Sequence, residues 1–254
     1  APPTYVFASE DYGAPLAAEL GARFVPVDPA RRQFPVSATM IRENPLANWD
    51  YIPEPVRPYF LRRVCVVEPG GGGGARGGGA GTAGAAGRDA GPSLAQRLAA
   101  HYRTLYVSDY GAFWERTMGE IGPGELSLVQ AAQQAVEDSL ARRASRVLFC
   151  ESDALQIAVS RGLEAGPGGG GADGAGAEAA GRSRGHDLTL LVEAPGRAVG
   201  ATPDAAGEDS LLDRMEAELR RRGEPFARIG ATSEHELLDR AVTEVERVLG
   251  ARTG

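Results

Sequence analysis

Two short acidic segments carry residue types suited to metal-nucleotide chemistry. Ser108-Asp109-Tyr110-Gly111 follows the apolar run Leu105–Val107, and Glu151-Ser152-Asp153 follows Val147–Cys150. If both runs are parallel strands, these segments stand beyond their carboxyl ends, where such sheets bind ligands. Carboxylates there can hold a magnesium ion and accept the proton of an attacking hydroxyl. The same spacing also suits a plainer role, in which Asp109 and Asp153 cap the helices that follow them. Spacing alone leaves the two readings level.

A third group lies near the start of the chain. Ser37, Thr39 and Arg42 fall on or near the first turn of an expected helix. Hydroxyls, free N–H groups and a guanidinium make an anion site there, and a capped helix with a solvated Arg explains the residues as well. A phosphate-binding loop, G-x-x-x-x-G-K-[ST], belongs after Val64–Val67. It has no match, because all 27 basic residues are Arg. The nearest register, Ala86-Gly87-Arg88-Asp89-Ala90-Gly91-Pro92-Ser93, has Ala for the first Gly and Pro where Lys is required. Pro also removes a cradling N–H.

The remaining reactive residues are read more plainly. His101, His186 and His235 have no partner at metal or relay spacing and are expected at the surface or in caps. Cys65 and Cys150, far apart inside apolar runs, are expected to be buried free thiols of a cytoplasmic protein. Trp49 and Tyr51 are expected to pack at a joint.

The elements that must position these residues follow from periodicity. Tyr5–Ala8 and Phe24–Val27 read as strands, with a helix over Asp11–Leu20 stopped by Gly21. The proline-rich stretch YIPEPVRPYF marks a joint, giving domains at 1–60 and 61–254. Beyond it, strands are expected at Val64–Val67, Leu105–Val107, Val147–Cys150, Leu188–Val192 and Phe226–Ile229. Each is an apolar run without polar alternation, as parallel strands covered on both faces are. Helices are expected between them, including Leu126–Arg143, Asp209–Arg222 and Ser233–Leu249, the last opened by a capping box from Ser233 to Glu236. The expected fold is a three-layer α/β sandwich with a parallel sheet.

Composition sets the outer limits. The chain has 254 residues and a net charge of -7, which argues against nucleic acid or an anionic membrane as main partner. No apolar run is long enough to span a bilayer. The opening Ala1-Pro2-Pro3-Thr4 lacks signal-peptide features and an initiator Met, so a processed chain or a fragment is expected. Glycine is concentrated, with 12 in residues 70–91 and 9 in 166–185. Both tracts read as insertions too poor in apolar side chains to order. Assembly with copies of itself stays open.

Taken in order, these segments resemble a known family. Residues 6–69, VFASEDYGAPLAAELGARFVPVDPARRQFPVSATMIRENPLANWDYIPEPVRPYFLRRVCVVEP, are similar to the bifunctional NadR-type family, nicotinamide mononucleotide adenylyltransferase fused to ribosylnicotinamide kinase. SDYGAFWE at 108–115, AAQQAVEDSLARRASRVLFCESDALQIAVS at 131–160 and HDLTLLVEAP at 186–195 agree. The resemblance implies a P-loop-kinase-like domain preceded by the C-terminal part of a nucleotidyltransferase Rossmann-like domain. It implies Mg2+ and ATP, with nicotinamide riboside or its mononucleotide as partner substrates. VSATMIR matches the family's Ile-Ser-x-Thr-x-Ile-Arg, making Ser37, Thr39 and Arg42 ATP-phosphate contacts. Asp109 and Tyr110 would position the riboside, and Gln133 matches a family Gln. FCESD stands where Phe-x-Asp-Thr-Asp is usual, so Asp153 would be the catalytic carboxylate, and Glu151, Asp153 and Ser93 the magnesium ligands. Ser93 would also touch the ATP phosphates. The departures are the absent Walker Lys, for which Arg76 or Arg88 are the candidate substitutes, and the absent upstream His-x-Gly-His motif. They support a second reading, a nucleotide- or riboside-binding sensor without catalysis.

Overall fold

Apolar runs that alternate between two covered faces form the centre of the molecule. In the computed structural model, residues 2–68, 91–160, 185–193 and 211–250 are described. The glycine tracts lie outside them except Gly91 and Gly185, as do Arg76 and Arg88. The chain divides into two compact units, one ending at Pro53 and one starting at Glu54, within the proline-rich stretch.

The first unit holds β1 (Tyr5–Ala8), α1 (Gly13–Glu19) and β2 (Arg23–Pro26), with the two strands parallel. The helix lies close on the strands because Gly13 has no side chain: a Cβ there would collide with the Phe24 ring and come within 2.7 Å of Ala8 Cβ. Gly21, at φ +64°, ends the helix as expected. After β2 the carboxylate of Asp28 accepts the backbone N–H groups of Arg32, Gln33 and Phe34. Those bonds, that to Phe34 first, hold its pKa below the usual carboxylate range. The fastened loop leads into α2 (Ala38–Glu43).

The second unit begins with the short α3 (Arg57–Phe60) and a five-stranded sheet. Its strands are β3 (Arg62–Val67), β4 (Tyr106–Val107), β5 (Val147–Cys150), β6 (Leu188–Val192) and β7 (Phe226–Ile229). The sheet order is β4-β5-β3-β6-β7 and every pairing is parallel. Val64 and Val66 of β3 face a cluster with Leu94 and Leu98 of α4 (Leu94–Tyr102) and Leu237, Ala241 and Val245 of α9 (Glu234–Gly250). Cys65 and Val67 face the other way, onto Leu155 and Val159 of α7 (Ala154–Ser160) and Met215 and Leu219 of α8 (Leu211–Arg222). This two-sided packing is the three-layer sandwich expected from the sequence. Between β4 and β5 run α5 (Tyr110–Met118) and α6 (Pro123–Ala141).

One local expectation needs correction. Glu236 donates its N–H to Ser233 Oγ, but its carboxylate turns to Thr232, bonding N at 3.0 Å and Oγ1 at 2.8 Å, so α9 has half a capping box. The complete box is at α4: Gln96 N–H donates to Ser93 Oγ and Ser93 N–H to Gln96 Oε1.

Candidate functional site

The carboxyl edge of the sheet gathers side chains from four segments. Just past β3 stands Glu68, whose Oε2 accepts the Leu94 N–H at 2.9 Å. Ser93, the N-cap of α4, donates its hydroxyl to Glu151 Oε1 at 2.6 Å. The other oxygen of Glu151, just past β5, accepts the Asp109 N–H at 3.4 Å. Asp109 in turn caps α5 by accepting from Ala112 N–H at 3.0 Å. These groups are all half-buried. Burial raises the Glu68 pKa; the Leu94 bond and the charge of Arg97 work against that, and Glu151 adds to it.

Tyr110 is anchored to the same edge through its backbone. Its N–H donates to Gln133 Oε1 at 2.9 Å, and Gln133 Nε2 donates to Ser152 O at 2.9 Å. Gln133 is fully buried on α6, so one amide ties the start of α5 to the segment after β5. The sequence expectations for Ser93, Glu151, Asp109 and Tyr110 thus fall on one connected edge.

Asp153 is placed differently. It is 2% exposed, its Oδ1 accepts the Gln156 N–H at 2.6 Å, and its Oδ2 lies 3.3 Å from His186 Nδ1. The carboxylate therefore caps α7 and faces the interior, and the structure does not join it to Ser93 and Glu151. His186 is the larger surprise. Where surface or capping positions are expected for all histidines, His186 is 5% exposed while His235 stands out in solvent. Burial opposes the imidazolium, yet the hydrogen bond and charge of Asp153, then Glu137, raise its pKa overall. The Asp153 pKa is lowered in return, with burial opposing and His186 prevailing. Glu137 and Arg63 complete this interior group: Arg63 donates to Glu137 Oε2 at 3.3 Å and to Asp138 Oδ1 at 2.7 Å. Cys65 and Cys150 are buried free thiols, as expected.

In the first unit, Ser37 caps α2 by accepting from Met40 N–H at 3.1 Å. Arg42 donates to Thr39 Oγ1 at 3.4 Å. The triplet is thus held together on one short helix. Trp49 is buried and Tyr51 exposed.

No family model matches the chain. Over 160 residues, 59% of its length, it is 28% identical to the trifunctional NAD biosynthesis/regulator protein NadR of Salmonella typhimurium, and equally to that of Escherichia coli. The chain is similar to NadR. It spans about a third (34%) of those relatives' length. Among solved structures, NadR in complex with NAD and AMP-PNP matches 99% of this chain and 68% of its own, with TM-score 0.64 and 18% identity. NadR in complex with NR matches 98% and 67%, with TM-score 0.62 and 18% identity. At that identity the likeness is one of fold. Among the described residues, no helix is long and apolar enough to cross a membrane.

Proposed function

We propose that this chain is a NadR-type protein of NAD salvage, whose second unit binds Mg-ATP and nicotinamide riboside and transfers the γ-phosphoryl to the riboside. The observation that carries this reading is the hydrogen-bonded edge of Ser93, Glu151 and Asp109 beyond β4 and β5, on a chain 28% identical to NadR over 160 residues. A hydroxyl and a carboxylate are hard oxygen donors and suit Mg2+. Ser93 and Glu151 are the ligands in this reading, and the ion, when bound, neutralises charge on the β- and γ-phosphates. Asp109 and Tyr110 hold the riboside, with Asp109 placed to take a hydroxyl proton. Asp153 passes from catalyst to support, because its carboxylate is committed to Gln156 and His186. In the first unit, Ser37, Thr39 and Arg42 contact ATP phosphates for adenylyl transfer to the mononucleotide. The setting is the cytoplasm.

A second reading is favoured by one specific observation, the complete absence of Lys. An oriented Lys ordinarily cradles the β- and γ-phosphates. Without it the same edge serves a sensor that binds nucleotide or riboside and transfers nothing.

Calorimetric titration of Mg-ATP and of nicotinamide riboside into the full chain tests binding in both readings. Saturable heats for both ligands, with the Mg-ATP heat weakened in Glu151→Gln, are expected. Heats absent for both would overturn the two readings together.

A further inference from the structure

The buried group behind the carboxyl edge has the composition of a metal centre of a different kind. Glu137 of α6, Cys150 at the end of β5 and His186 just before β6 each offer one ligand atom, and those atoms lie within 4.8 Å of one another. All three residues are buried. His186 Nε2 has no hydrogen-bond partner and lies 3.7 Å from Glu137 Oε2. That separation is too long for a hydrogen bond. It is close to the ligand-to-ligand edge of about 3.5 Å that tetrahedral zinc bonds of about 2.0–2.3 Å require.

The outer partners are those a zinc site uses. Metal-bound histidines direct their other ring nitrogen to a carboxylate, which fixes the ring and the tautomer. His186 Nδ1 lies 3.3 Å from Asp153 Oδ2, and Asp153 is itself held by the Gln156 N–H. Glu137 is oriented by Gln133 Nε2 at 3.3 Å on Oε1 and by Arg63 at 3.3 Å on Oε2. A carboxylate oxygen has a second lone pair, so Oε2 can serve both Arg63 and a metal.

We propose that Glu137, Cys150 and His186 bind a zinc ion in the interior of the second unit, with Asp153 as the carboxylate behind His186. Imidazole and thiolate select zinc over magnesium, which takes oxygen ligands. Arg63 and Asp153 stand beside the three ligands as fixed outer partners. Zinc displaces the Cys150 proton and binds His186 as the neutral ring, leaving thiolate and imidazole. The three side chains supply three of the four tetrahedral positions and a water the fourth, and the ion ties α6, the end of β5 and the start of β6 together beneath the edge that carries Glu151.

The test uses Co2+ and Zn2+ as probes on the full chain. Cobalt-loaded protein is expected to show a thiolate-to-cobalt charge-transfer band in the near ultraviolet with tetrahedral d–d bands in the visible. Protein expressed with zinc and dialysed is expected to retain about one equivalent by mass spectrometry. Cys150→Ala and His186→Gln are each expected to lose at least about tenfold in zinc affinity, whereas His235→Gln keeps it. A wild-type cobalt spectrum without the thiolate band overturns the proposal, and this holds even if the buried variants do not fold. So does zinc retained equally by folded Cys150→Ala or His186→Gln.

Discussion

Ser93 Oγ donates to Glu151 Oε1 across 2.6 Å, joining the first turn of α4 to the end of β5. The bond adds a polar tie at one end of two elements whose apolar side chains, Leu94 and Leu98 against Val147 and Phe149, share one core cluster. The bond is charge-assisted, and such bonds contribute about 1.5–3 kcal/mol. Glu151→Gln keeps the shape and removes the charge. It is expected to weaken Mg-ATP binding by roughly tenfold to a hundredfold and to cost about 1 kcal/mol in stability, since the amide oxygen can still accept from Ser93, checked by calorimetry alongside equilibrium unfolding.

Asp153→Asn should behave in the opposite way. Removing one partner of a buried pair leaves His186 without its counter-charge, at a cost of about 3–5 kcal/mol. A loss of that order is expected in urea unfolding of the metal-free chain. Asp109→Asn, by contrast, preserves a good N-cap and should cost well under 1 kcal/mol. Equal stability losses at the two positions would argue against the interior placement of Asp153.

Gln133 offers a test of the link between α5, α6 and the segment after β5. In Gln133→Leu the N–H of Tyr110 and the carbonyl of Ser152 lose their partner. Each buried group left unsatisfied costs about 1–3 kcal/mol. The variant should unfold at lower urea and bind nicotinamide riboside more weakly, because the start of α5 is no longer anchored. Unchanged hydrogen-exchange protection at Tyr110 would contradict this.

The legibility of these features in the sequence was uneven, for physical reasons. β5, β6 and β7 match their expected bounds because fully covered parallel strands are unbroken apolar runs. Asp109 and Glu151 were legible because they stand directly beside such runs, and Ser93 because it closes the nearest phosphate-loop register. His186 could not. Its partners Cys150, Asp153 and Glu137 are 33 to 49 residues away in the chain, and only the parallel crossovers bring them together. Helical spacing alone conceals Gln133, which only the family resemblance singled out, because its polar side chain is fully buried where an apolar one is the usual choice. The nearest signal was Cys150 itself, a thiol at the end of a strand beside an acidic segment.

Acid stability follows from the end of α8. Glu218 bonds Arg221 and Arg222, the Arg221 bond first, and its pKa drops to about 2 from 4.5. A carboxyl lowered on folding stabilises fully above its unfolded value and loses that contribution as pH falls through the folded one. Stability should therefore decline between about pH 4.5 and 2, modestly, since these arginines reach into solvent. Glu218→Gln should flatten this part of the decline in urea midpoints measured across that range.

The central claim is phosphoryl transfer at the edge built from Ser93, Glu151 and Asp109. It is tested most directly by separating the products after the full chain is incubated with nicotinamide riboside and Mg-ATP. Formation of nicotinamide mononucleotide, lost in Glu151→Gln, is the result expected. No mononucleotide, from protein shown by calorimetry to bind both ligands, would contradict transfer and leave a sensor built on the same edge.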